Sequence, residues 1–188
     1  MGDANAQLSL SVEPAWITSH EHLDRYLRVS DTTSWLRLLL GRGYDLPRDF
    51  PYVDVSDQRF PLGFYSSGAL TIQGGTLSYA AHPLQPETLG GTRHNLDTSL
   101  NFSVALAENP TFSRFRLPRA RLSYFSINWV VLALRRLNAP FLICAGTRGL
   151  GMGRIGRGTD ALYASLASWV TGSSDSQGTP PNQRLERP

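Results

Sequence analysis

The feature that most constrains this chain is a pair of adjacent glycines set between two short β-prone runs. In Gly68-Ala69-Leu70-Thr71-Ile72-Gln73-Gly74-Gly75-Thr76-Leu77-Ser78-Tyr79-Ala80, the runs Ala69–Gln73 and Thr76–Ala80 flank Gly74-Gly75. A two-residue hairpin turn needs positive φ at its centre, which glycine adopts without steric cost, so the stretch predicts a β-hairpin. Leu100–Leu106 then alternates Leu100, Phe102, Val104 and Leu106 against Asn101, Ser103 and Ala105, the period of a half-buried strand. Phe115–Leu117, Leu122–Ile127, Val130–Leu134 and Pro140–Cys144 are further β-prone runs, divided by Pro118 and Arg135-Arg136-Leu137-Asn138 and closed by Gly146. The sequence predicts six or seven strands within about eighty residues.

Helical signals stand at both ends. Leu8–Ile17 alternates weakly and is expected to stop at Pro14. Thr18-Ser19-His20-Glu21 reads as a capping box, with the Thr18 hydroxyl and the Glu21 carboxylate serving a short helix over about His20–Arg28. Ser30 or Asp31 caps a second, in which Trp35, Leu36, Leu38, Leu39 and Leu40 make an apolar face before Gly41 and Gly43. Residues 44–63 hold Pro47, Pro51 and Pro61 and read as connector, because proline cannot donate to a ladder. Thr159-Asp160-Ala161 opens a last helix with Leu162, Tyr163, Leu166, Trp169 and Val170 on one stripe and Asp160 complementing the dipole. From Thr171 the chain is polar and rich in Ser, Gly and Pro, the composition of a disordered tail. The reading is α+β: an N-terminal helical extension and connector (1–63), a β-rich domain with its C-terminal helix (64–171) and a tail (172–188).

Charge is unevenly placed. The chain has no lysine; residues 1–108 carry 7 Arg against 12 acids, whereas 109–159 carry 9 Arg and no acid. The nine are Arg114, Arg116, Arg119, Arg121, Arg135, Arg136, Arg148, Arg154 and Arg157, and they are the candidate anion-binding residues. Such a block permits an acidic protein, an anionic lipid surface or a nucleic acid as partner. The bland alternative is that the acidic first half folds against the basic second half, or that the arginines are solvated singly. The longest apolar run, Trp129–Leu134, is far short of the roughly 20 residues a membrane helix needs. No basic region followed by an apolar one opens the chain, so the expectation is a cytoplasmic protein without a transmembrane segment. A homo-oligomer is left open. Cys144, the single cysteine, lies in an apolar run and reads as a buried core residue.

Gly151-Met152-Gly153-Arg154-Ile155-Gly156 matches the dinucleotide-binding spacing letter for letter. That spacing binds a pyrophosphate only where it follows a strand immediately, opens a helix and precedes a second strand with an acid about twenty residues on. Here Gly146–Leu150 intervenes after the strand, and no second strand follows, so no nucleotide cofactor is expected. The arginines of this stretch keep an interest of their own beside a helix N-terminus, where anions are favoured, although Asp160 already occupies that end.

Other chemistry is weakly signalled. His20 and His22 read as helix-start surface residues, and with His82 and His94 they complete no metal signature. His94, Asp97 and a serine can be written as a triad, but no nucleophile elbow is present, and no catalytic residue is assigned. Residues 112–125 interleave Arg with aromatics, as a nucleic-acid strip does. They equally suit an amphipathic strand with Phe and Leu inward and Arg outward.

The layout resembles bacterial pleckstrin-homology-like and GRAM-type domains, carried by Gly68–Tyr79, Phe115–Leu122 and the helix Thr159–Val170. That resemblance implies a strongly bent antiparallel sheet or partly open β-barrel of six to seven strands, capped by the C-terminal helix, with two short N-terminal helices outside the pattern. It also implies a binding or scaffolding module whose basic half meets an anionic lipid surface or acidic protein. A nucleic-acid-binding protein and a small-molecule enzyme are the alternatives. The ending Asn182-Gln183-Arg184-Leu185-Glu186-Arg187-Pro188 resembles tails translated from the recombination sites of bacterial integron gene cassettes.

Overall fold

Gly74 and Gly75 adopt φ of 57° and 78°, and the strands on either side pair antiparallel from Gly68↔Ala81 to Gln73↔Thr76. The hairpin is therefore where the glycines put it. The structure, a computed structural model, describes residues 9–30, 44–55, 57–82, 92–116, 128–146 and 158–174. Their elements are β1 (Leu10–Thr18), α1 (His20–Ser30), β2 (Tyr52–Val55), β3 (Gln58–Pro61), β4 (Ser66–Gln73), β5 (Thr76–Ala81), β6 (Thr92–His94), β7 (Asn101–Ala105), β8 (Thr111–Arg116), β9 (Asn128–Ala133), β10 (Phe141–Ala145) and α2 (Thr159–Ser174).

Seven strands form one sheet in the order β7-β5-β4-β1-β10-β9-β8, with every neighbouring pair antiparallel. Two chain-order meanders, β4-β5-β7 and β8-β9-β10, are thus joined through β1. The sheet curls strongly. Phe102 on β7 stacks on Phe141 of β10 with ring centroids 4.9 Å apart, although four strand spacings, about 19 Å in a flat sheet, separate those strands. The result is a half-barrel.

Both faces of its centre are covered. Inside the curl, Ile17, Leu70, Leu77, Val104, Val130 and Ile143 meet Leu162, Leu166 and Trp169 of α2. On the outer face Trp16, Trp129, Leu142 and Cys144 meet Leu23 of α1 and Val53, Leu62 and Phe64 from around a second, three-stranded sheet, β3-β2-β6. This two-sided burial explains why β10 reads as a continuous apolar run while β7, beyond the outer cover, alternates.

Several expectations need correction. β1 does not stop at Pro14 but runs through it to Thr18, because its register with β4 shifts between Val12 and Ala15, and an irregularity there spares proline a ladder N–H. Since β1 lies between β4 and β10, it belongs to the same sheet as the strands after residue 64, and the division at 63/64 crosses that sheet. Ser19, not Thr18, caps α1: its hydroxyl accepts from His22 N–H at 3.1 Å, while the Thr18 hydroxyl is buried in β1. The proline-rich stretch is not all connector, for β2 and β3 pair within it from Tyr52↔Pro61 to Val55↔Gln58. β8 begins at Thr111, four residues before the expected run. Helix α2 continues past Thr171, whose hydroxyl donates to Ala167 O at 3.1 Å, so residues 172–174 are helix and not tail. Ser30, one candidate cap of the expected second helix, instead ends α1, where its hydroxyl donates to Leu27 O at 3.4 Å; the body of that helix from residue 31, the run Leu122–Ile127 and the rest of the tail lie outside the described residues.

Two substitutions test this packing. A Cβ on Gly68 would stand 2.0 Å from Ala80 O, so Gly68→Ala is expected to lower unfolding free energy by about 3 kcal/mol, measured by urea denaturation. Leu166→Ala, emptying a fully buried position under the curl, is expected to cost about 2–5 kcal/mol in the same measurement.

Candidate anion-binding surface

Among the described residues β8 pairs only with β9, so it is one edge of the large sheet. Phe112 and Phe115, three residues apart, point to opposite faces: Phe112 lies 6.3 Å from the Trp169 ring of α2, and Phe115 meets His20 edge-on at 4.8 Å. The expected strand with both phenylalanines inward is thus two-faced. Arg114 shares the helix-side face. Its guanidinium lies over the Tyr163 ring at 4.4 Å, and its Nη1 is 4.0 Å from Asp160 Oδ1. Asp160 and Tyr163 are three apart on α2 and so stand one above the other, which is why one arginine reaches both. Arg116 is exposed, two residues further along the same face.

Arg135 and Arg136 sit elsewhere. They lie in the β9–β10 turn, beyond Ala133, whereas Arg116 is registered with Asn128 at the other end of β9. Five residues of extended strand put about 17 Å between those ends. The four of the nine candidate arginines that are described therefore form two groups. Arg135 is exposed; Arg136 is engaged, with its Nε 2.6 Å from Glu108 Oε2 and its Nη2 donating to Ser103 O at 2.6 Å. Arg119, Arg121, Arg148, Arg154 and Arg157 lie outside the described residues, as does the glycine motif at 151–156.

The titratable groups in the interior are structural in their surroundings. Cys144 is fully buried, burial pushes its thiol up to about 12, and the Thr159 hydroxyl donates to it at 3.4 Å. A thiol held neutral in this way is no nucleophile at ordinary pH. Thr159 also accepts from Ala145 N–H at 3.1 Å, pinning the start of α2 to the end of β10. Tyr79 is pushed up to about 12 by burial; its hydroxyl shares a 3.0 Å hydrogen bond with Ser66, which donates to Asp97 O at 2.8 Å. The Asp97 carboxylate, three residues from His94 in sequence, accepts from Ser99 N–H and Ser99 Oγ at 2.8 and 2.7 Å and so builds a turn. Among the described residues no group of three His, Cys, Asp or Glu side chains is placed to hold a metal ion.

His22 is the residue that sequence reasoning misplaced. It is buried, not a surface histidine: its Nε2 is 3.0 Å from Leu62 O, and its ring stacks on Phe50 at 5.0 Å and meets Tyr65 edge-on at 5.8 Å. The signal was available, because His22, Leu23 and Tyr26 occupy adjacent positions on one helical stripe. Burial holds its pKa below the ordinary 6.5, with the nearby Arg25 acting the same way and the Leu62 carbonyl opposing. Arg25 itself bonds Asp49 at 3.0 Å and lies over the Phe50 ring.

No family model matches this chain, and no curated protein or solved structure matches it either. Among the described residues no helix is long and apolar enough to cross a membrane.

The burial of His22 sets a pH dependence. A histidine whose folded pKa is depressed adds stability that is complete above 6.5 and drains away as pH falls below it, because the unfolded chain takes up the proton first. His22→Gln, which keeps a donor for Leu62 O, is expected to unfold in urea with a flatter pH dependence between pH 6.5 and the folded-state pKa than the wild type. Parallel curves would contradict the assignment.

Proposed function

We propose that this chain is a pleckstrin-homology-like binding module, and that its basic second half, 109–159, holds an anionic partner: an acidic protein face or an anionic lipid surface. The observation that carries the reading is the architecture. A curled seven-stranded antiparallel sheet has its inner face plugged by the last helix, and Arg114 and Arg116 stand exposed on an edge strand beside that helix. Arg114 is oriented by Tyr163 and carries an exposed partner in Asp160, so an incoming carboxylate or phosphate competes with one solvent-screened contact.

Nucleic acid is the weaker reading. Stacking on bases needs open aromatic faces, and of the Arg/aromatic segment 112–125 the two described aromatics are half-buried and engaged, Phe112 towards Trp169 and Phe115 against His20. The thiol of Cys144 gives an enzymatic reading no support either, being fully buried and held neutral.

The test is salt-dependent retention on three matrices: vesicles containing phosphatidylserine, an immobilised polyglutamate and heparin. Retention at low salt on vesicles or polyglutamate is expected, with the Arg114→Ala, Arg116→Ala double variant eluting at lower salt, because each lost ionic contact lowers the salt dependence. Passage through all three at low salt, or unchanged elution of the double variant, would contradict the proposal; preferential retention on heparin would favour nucleic acid.

A further inference from the structure

Among the described residues β7 is the other edge of the large sheet, and an edge offers backbone groups that a further strand can take up. Two hydrogen bonds fix its phase: Leu106 N–H donates to Gly75 O and Ala81 N–H to Leu100 O, both at 3.0 Å. Even-numbered residues of β7 therefore turn their backbone to β5, and Asn101, Ser103 and Ala105 turn theirs outward. Two of these outward groups are filled by a single ion pair. Glu108 Oε1 accepts from Ala105 N–H at 2.9 Å, Arg136 Nη2 donates to Ser103 O at 2.6 Å, and Arg136 Nε meets Glu108 Oε2 at 2.6 Å.

Arg136 comes from the β9–β10 turn, so the pair also ties β7 to the opposite half of the curl, next to the stack of Phe102 on Phe141. Among the described residues this seam is bridged by side chains where a closed barrel would have ladder bonds.

We propose that Glu108 and Arg136 form a latch that withholds the β7 edge from strand addition by a second copy of this chain. Edge strands are ordinarily protected by charged residues of their own, by proline or by a bulge. β7 has none of these, and the outward-turned Asn101, Ser103 and Ala105 are small, neutral and exposed. The edge is also self-complementary. A two-fold axis through Ser103 sets the N–H of each Ser103 against the carbonyl of its copy and Asn101 against Ala105, with no like charges opposed. The closed latch occupies the Ser103 acceptor and the Ala105 donor that this pairing requires. This edge is separate from β8, so the proposal stands or falls independently of the anionic partner.

The test is sedimentation velocity across a hundredfold range of concentration on wild type, Arg136→Ala and Glu108→Gln, with folding verified by circular dichroism. Glu108→Gln keeps an acceptor for Ala105 N–H and so preserves the turn while losing the ion pair. Both variants are expected to shift towards twice the monomer mass as concentration rises, while the wild type does not shift. Adding Ser103→Pro to Arg136→Ala removes the outward N–H without touching the β4-β5-β7 ladder, and is expected to restore the wild-type profile. Variants that sediment as the wild type at every concentration would overturn the latch. Association that survives Ser103→Pro would overturn strand addition.

Discussion

The rest of the structure depends on the antiparallel pairing of β1 with β10, from Ala15↔Ala145 to Thr18↔Leu142. Among the described residues it is, together with the β1–β4 pairing, the backbone ladder that makes one sheet of the two meanders, and it joins residues about 130 apart, a closure of high entropic cost. What offsets that cost is burial on both faces. Ala15 and Ile17 face the curl and its helix, and Trp16 faces outward with Cys144 opposite and Phe64 at 4.2 Å. Glycine permits the close approach at its end: a Cβ on Gly146 would meet Trp16 Nε1 at 2.5 Å.

Two covers follow from two buried faces. Helix α2 fills the curl, pinned at its start by Thr159 to the last residue of β10. The outer face needs α1 and the small sheet, and the contact between these two layers includes one buried polar group, His22, whose hydrogen bond to Leu62 O satisfies it only while the layers stay together. The charged groups lie at the margins of this assembly, in two places. Arg114 and Arg116 flank the helix at one edge; Arg136 with Glu108 closes the other. The pairing of Arg136 with Glu108 and of Arg114 with Asp160 shows how part of the basic block is met by acids outside it.

Local signals were legible in the sequence and long-range ones were not. Gly74-Gly75, the alternation of Leu100–Leu106, the apolar run ending at Cys144 and the stripe Leu162, Leu166, Trp169 each encode one element, because a turn conformation or a burial period acts within a few residues. The placement of β1 was hidden by Pro14, which reads as a strand terminator unless the bulge is known. The small sheet was hidden by three prolines that occupy its margins. Of the candidate site, the abundance of arginine was plain, but its division into two groups follows from the β8–β9 register, and the Glu108–Arg136 pair joins residues 28 apart with no local pattern to announce them.

The most direct measurement is native-state hydrogen exchange, read amide by amide across denaturant concentrations. If β1 is the central strand of one sheet, the amides of Ile17 and Ile143 exchange only through global unfolding, with the same free energy and the same denaturant dependence. Exchange of the Ile17 amide through a smaller opening, while the amides of Ile143 and Thr71, which are turned to β9 and β5, stay protected to the global limit, would contradict the account and make the N-terminal strand an accessory to a sheet that stands without it.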